Sequence, residues 1–124
     1  MIDSDYITEN FKREEFACSC CGKDDIDYEL VKKLQTLREI YGSPMAITSG
    51  VRCEQFNSKL PGSSKTSSHI AGKAADISVV NSAVRFRLIK LALEMGWKRV
   101  GIAGNFIHLD IDESKKQNII WTYS

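Results

Sequence analysis

His69 and His108 are the only two histidines in the chain, and a carboxylate, Asp76, follows the first of them closely. Two imidazoles and a carboxylate form a three-ligand set that leaves a fourth coordination position for water or substrate. That open position distinguishes a catalytic zinc ion from a structural one. A lone histidine is more often a surface or hydrogen-bonded core residue, and Asp76 before an apolar residue can simply cap a turn. Here, however, both histidines stand beside carboxylates in otherwise apolar surroundings.

The elements that must position these groups follow from the periodicity. In Ala74 to Val79, alternation puts Ala75, Ile77 and Val79 on one face and Ala74, Asp76 and Ser78 on the other. In Asn105 to Asp112 it puts Ile107, Leu109 and Ile111 on a core face, with His108 and Asp110 opposite. If the two strands are neighbours in a sheet, His69, Asp76 and His108 can converge on one ion. Gly72 turns the chain between His69 and the first strand.

The rest of the chain supplies helices and further strands. Asp27 caps a helix with apolar positions Leu30, Val31, Leu34, Leu37 and Tyr41, which Gly42 and Pro44 end. A short strand is expected from Met45 to Thr48. A loop follows from Asn57 to Ser68, with a helical turn near Asn57, and forms the natural rim of a groove. Ser82 opens a second helix with Val84, Leu88, Leu91, Ala92 and Met95 on its buried face and Gly96 as its stop. Arg99 to Ala103 and Phe106 to Asp112 form a hairpin through Gly104 and Asn105, and Ile119 to Tyr123 adds an edge strand. Trp97 and Trp121 complete the core or line a groove. The fold class expected is α+β, a small antiparallel sheet with packed helices.

Composition places few further constraints. A chain of 124 residues, 43% hydrophobic and 27% charged, suits one domain spanning 1–124. With 17 basic and 16 acidic residues, the net charge of +1 gives no strong field for nucleic acid or an anionic membrane. The amino terminus, Met1 to Tyr6, lacks the basic start and apolar stretch of a signal peptide, and no run is long enough to span a bilayer. A product made in the cytoplasm is expected. Its oligomeric state is open, with a monomer as the working expectation.

Four cysteines stand apart from the histidine set: Cys18, Cys20 and Cys21 cluster before Gly22, and Cys53 follows Arg52. The cluster resembles half of a zinc knuckle, but a second cysteine pair at knuckle spacing is missing. Reduced thiols are the expectation for a chain without an export signal. Cys53 has no general base placed beside it by sequence, so it is a poor candidate nucleophile.

Ser49-Gly50-Val51-Arg52, Asn57, Ser67-x-His69-x-x-Gly72-x-Ala74-x-Asp76-Ile77 and Phe106-Ile107-His108-Leu109-Asp110 together resemble the peptidase M15 family. That family comprises zinc D-alanyl-D-alanine carboxypeptidases and related phage endopeptidases. Asn10-Phe11-x-x-x-Glu15-Phe16-x-Cys18 and the helix after it are similar to its small, single-domain branch, so the resemblance runs from about Phe11 to Asp110.

The resemblance implies a Hedgehog/DD-peptidase-like fold holding one Zn2+ on His69, Asp76 and His108. It also implies hydrolysis of a bond involving a D-amino acid in peptidoglycan stem peptides, with a zinc-bound water as nucleophile. Arg52 would bind substrate or stabilise the oxyanion, because guanidinium stays charged and grips a carboxylate through two hydrogen bonds; the glycine before it suggests a sharp turn. Ser49 and Ser67 would add hydrogen bonds to substrate. Phage members of the family reach the wall after a holin opens the membrane, or within a virion.

One position departs from the family pattern. Many members carry Asp or Glu three residues before the last histidine, where this chain has Asn105, which cannot accept a proton at neutral pH. Asp110 is the candidate base, or alternatively orients a ligand histidine through a hydrogen bond. Three readings stay open: a zinc peptidase acting on peptidoglycan, a catalytically weakened zinc-containing binding or structural module, and a zinc-independent domain whose histidines only satisfy hydrogen bonds.

Overall fold

The computed structural model describes residues 5–60 and 67–123. Three helices pack against a five-stranded sheet, an α+β arrangement. Helix α1 spans Tyr28–Tyr41, and its apolar stripe of Leu30, Val31, Leu34 and Leu37 is fully buried. The Asp27 carboxylate accepts the Glu29 N–H at 2.8 Å, and Gly42 ends the helix in the left-handed region at φ 80°. Helix α2 is a short segment, Glu54–Ser58, and helix α3 spans Ser82–Met95 between an Asn81 cap and Gly96. Leu88 and Ala92 of α3 enter the core, where Val84, Leu91 and Met95 pack at its margin. No helix among the described residues is long and apolar enough to cross a membrane.

The strands are β1 (Ile47–Ser49), β2 (Ala74–Ser78), β3 (Arg99–Ile102), β4 (Phe106–Asp110) and β5 (Ile119–Thr122), in the order β1-β2-β4-β3-β5. β2 and β4 are antiparallel neighbours, and their register sets Asp76 directly opposite His108. Ile77, Ile107, Leu109 and Val100 point into a core shared with α1, while the alternate positions carry the polar residues. An irregularity between Ile47 and Ser49 brings Ser49 opposite Asp76, one residue off the regular ladder.

Two expectations need correction. The sheet is not wholly antiparallel, because β5 runs parallel to β3. After β4 the chain passes over the start of β3, with Ile119 N–H donating to the Lys98 carbonyl at 3.0 Å, so β5 must run in the direction of β3. Gly50 is also not a left-handed turn residue; it is absent from the positive-φ positions Gly22, Gly42, Gly72 and Gly96. It is required by close approach instead, since a Cβ there would lie 2.6 Å from the Phe16 Cα. The adjacent Val51 N–H donates to the Phe16 carbonyl at 2.8 Å, joining the two segments main chain to main chain. Of the expected loop from Asn57 to Ser68, residues 61–66 lie outside the described residues.

Substituting Gly50→Ala therefore forces backbone apart rather than a flexible side chain. It should lower unfolding stability by about 1–3 kcal/mol, as for other overpacked sites, measured by urea denaturation. Unchanged stability would contradict the close approach.

Candidate metal centre

Each element delivers one ligand atom. The 68–72 turn carries His69, β2 carries Asp76 and β4 carries His108, and all three side chains are buried. One oxygen, Asp76 Oδ1, faces both imidazoles: it lies 3.2 Å from His69 Nε2 and 3.0 Å from His108 Nδ1. The ring centroids of the two histidines are 5.1 Å apart.

The outer nitrogens decide what the inner ones can be. His69 Nδ1 lies 2.7 Å from the Gly50 carbonyl oxygen, which only accepts, so Nδ1 carries the hydrogen. His108 Nε2 lies 2.7 Å from Asp110 Oδ2, an ionised carboxylate oxygen, so it too carries the hydrogen. In their neutral forms both rings therefore turn a lone pair toward Asp76 Oδ1. His69 Nε2 is buried without a hydrogen bond. Three converging lone pairs repel unless something positive lies between them. Protonating His108 lets its Nδ1 donate to Asp76 Oδ1 at 3.0 Å but still leaves His69 Nε2 turning a lone pair on the same oxygen, and protonating both rings would bury two like charges side by side, which is costly.

A divalent cation resolves the conflict, and the residues fit one. Ligand atoms of a tetrahedral zinc site, with bonds of about 2.0–2.1 Å, stand roughly 3.3 Å apart. The observed 3.0 and 3.2 Å need little adjustment. Two imidazole nitrogens and one carboxylate oxygen are also the donor set of catalytic zinc.

The shifts in proton affinity follow the same contacts. Burial pushes the His69 pKa down, only partly opposed by Asp76. Burial would lower His108 as well, but its hydrogen bonds with Asp110 and Asp76 outweigh this and raise it. Asp76 is held well below the usual carboxylate range because His108 and His69 outweigh the effect of its burial.

A second layer fixes these ligands. Arg52 donates from Nη2 to Asp76 Oδ2 at 3.2 Å, from Nε to Ser49 Oγ at 3.1 Å and from Nη1 to Asn57 Oδ1 at 3.3 Å. Asp76 is thus gripped through one oxygen while the other faces the histidines. Ser67 Oγ accepts the His69 N–H at 3.2 Å and shapes the turn. Asp110 is fully engaged: Oδ2 accepts from His108, and Oδ1 accepts from Arg99 Nε at 2.7 Å and from the Asp112 N–H at 3.1 Å. It sits behind the His108 ring, on the far side from Asp76. Asn105 is exposed in the hairpin turn, where its carbonyl accepts the Val79 N–H at 3.0 Å.

Trp121, expected to complete the core or line a groove, reaches this site, whereas sequence reasoning missed Tyr123 and the contact between Ser68 and Asp112. Trp121 packs against His108 at 5.3 Å between ring centroids and carries the Arg99 guanidinium over its own ring at 4.9 Å. Tyr123 is close enough to Asp76 and Arg52 for both to influence its phenol, whose pKa is raised mainly by burial. Ser68 donates to the buried Asp112 carboxylate at 2.8 Å, tying the His69 turn to the end of β4. The available signal was the period-two spacing of Trp121 and Tyr123 on the terminal strand, which does not reveal what that face covers.

The family model described as Peptidase M15 matches residues 9–110, most of the chain. No curated protein gives a match.

Two outcomes follow for metal binding. Asp110→Asn should weaken zinc affinity about 10–100-fold, the usual effect of losing a partner behind a ligand histidine; unchanged affinity in competition with a chelator would contradict the orienting role. Because the inner nitrogens must be unprotonated to bind a cation and His108 holds its proton more firmly than usual, zinc affinity should fall as pH drops from neutral, with protons released on binding. Calorimetry in buffers of different ionisation enthalpy measures this, and proton-independent binding would contradict it.

Proposed function

The chain belongs to the peptidase M15 family, and on that premise we propose that it is a zinc metallopeptidase hydrolysing a bond that involves a D-amino acid in peptidoglycan stem peptides, as a D,D-carboxypeptidase or endopeptidase. The observation that carries this reading is the meeting of two outward-locked imidazoles and Asp76 Oδ1. Zinc held by His69 Nε2, Asp76 Oδ1 and His108 Nδ1 would supply Lewis acidity, acidifying water and polarising the scissile carbonyl. The substrate class rests on the resemblance of the Ser49 to Arg52 and Phe106 to Asp110 segments, and on an arginine beside the centre. We place the action at the cell wall, reached by phage-type release or within a virion.

The surrounding residues have separate tasks in this reading. Arg52 spends three of its five N–H groups on Ser49, Asn57 and Asp76. The remaining N–H on each terminal nitrogen serves a substrate carboxylate or the negative charge that develops on the carbonyl oxygen. Ser49 and Ser67 hold Arg52 and the His69 turn and add hydrogen bonds to substrate. Asp110 locks the His108 ring and keeps Nδ1 available. Trp121 and Tyr123 wall the centre, and the neutral Tyr123 phenol offers a further donor.

A second reading is favoured by one observation. Asn105 replaces an acid, and both Asp110 oxygens are already occupied, which fits a zinc-containing binding module with weakened turnover.

Purified peptidoglycan incubated with the protein, with and without a chelator, separates the two. The peptidase reading predicts new muropeptides that the chelator abolishes, with the cleaved bond identified by mass spectrometry. It also predicts that Arg52→Lys lowers kcat by about 10²–10³-fold, as for loss of an oxyanion donor, while retaining zinc. Zinc-dependent binding without new muropeptides would replace this reading with the second.

A further inference from the structure

The fold brings Cys53 to the cysteine cluster near the N-terminus. Cys18, Cys21 and Cys53 bring their sulfurs within 4.8 Å of one another. Cys20 is next to Cys21 in sequence and exposed, with its sulfur outside this group. All four are free thiols.

The backbone around Cys18 has the form of a metal knuckle. Gly22 takes φ 76°, its N–H donates to the Cys18 carbonyl at 2.8 Å, and the Cys18 N–H donates to the Lys23 carbonyl at 2.7 Å. The Cys53 N–H donates to the Cys18 sulfur at 3.5 Å, and the neighbouring backbone N–H groups of Cys21 and Cys20 also favour its thiolate. The Phe56 N–H donates to Cys53 Sγ at 3.4 Å at the start of α2. Such N–H donors stabilise sulfur as thiolate, the form that binds metal. Lys59 adds a positive charge on the Cys20 side.

We propose that Cys18, Cys21 and Cys53, with Cys20 as the fourth ligand, form a second zinc site that is structural and separate from the histidine centre. Four sulfur donors select a tetrahedral ion of the zinc type, and with no open position the site has no catalytic role. Each thiol releases its proton to solvent as its Zn–S bond forms, and no oxidant is involved. The role follows from location. Cys53 directly follows Arg52, and Cys18 follows the Phe16 segment that approaches Gly50. The ion would clip the N-terminal segment to the arginine-bearing turn.

The reduced protein, loaded with zinc and freed of excess, is assayed by elemental analysis. Two zinc ions per chain are expected, falling to one in Cys53→Ser and to one in His69→Ala. Cobalt loaded into His69→Ala should give sulfur-to-cobalt charge-transfer absorption, and wild-type protein loaded with cobalt should show the same band should either variant fold poorly. One zinc per chain in the wild type, lost in His69→Ala, with no charge-transfer band, would overturn the proposal and leave the histidine centre intact. Two zinc ions per chain with His69→Ala unchanged would instead count against the histidine centre alone. A Cys18–Cys53 disulfide whose reduction yields no sulfur-bound metal would also overturn it.

Discussion

A single carboxylate oxygen facing two imidazole nitrogens whose other nitrogens are already committed is the constraint around which this molecule is organised. Gly50 carbonyl and Asp110 fix where the hydrogens of the neutral rings lie, so Asp76 Oδ1 meets lone pairs of both neutral rings, and of His69 even when His108 is protonated. That arrangement leaves His69 Nε2 without a partner in the protein alone and offers a cation three converging donor atoms. The β2–β4 register that sets Asp76 opposite His108 therefore brings two of the candidate metal ligands together as well as packing the sheet.

The outer supports form a chain of dependencies. Arg99 holds Asp110, the carbonyl of Lys116 accepts from Arg99 Nη1 at 2.7 Å, and Trp121 covers both Arg99 and His108. The crossing into a parallel β5 thus seals the back of the His108 site. On the other side, Phe16 meets Gly50, and Gly50 meets His69. The segment around Phe16 thus reaches His69 through Gly50.

Much of this was legible in the sequence. Helical periodicity from Leu30 to Leu37, the Asp27 and Gly42 signals and the alternation in Ala74 to Val79 and Asn105 to Asp112 are local, and local patterns specify elements well. Asp76 and His108 were recognisable because each stands on the polar side of such a pattern, and His69 because it is the other histidine of the chain, in a turn just before the first pattern. What escaped was pairing between distant segments. Nothing near Cys18 announces Cys53, nothing near Ser68 announces Asp112, and the Gly50 requirement comes from the backbone of Phe16. The direction of β5 escaped for the same reason, since strand alternation carries no information about which neighbour a strand will choose.

Crystals of the zinc-loaded protein, measured at the zinc absorption edge, reveal which atoms face the ion. The expectation is an anomalous peak at bonding distance, about 2.0–2.1 Å, from His69 Nε2, Asp76 Oδ1 and His108 Nδ1, with Gly50 and Asp110 still on the opposite ring nitrogens. A peak bound through the other nitrogen of either histidine, or no peak among these three residues, would contradict it.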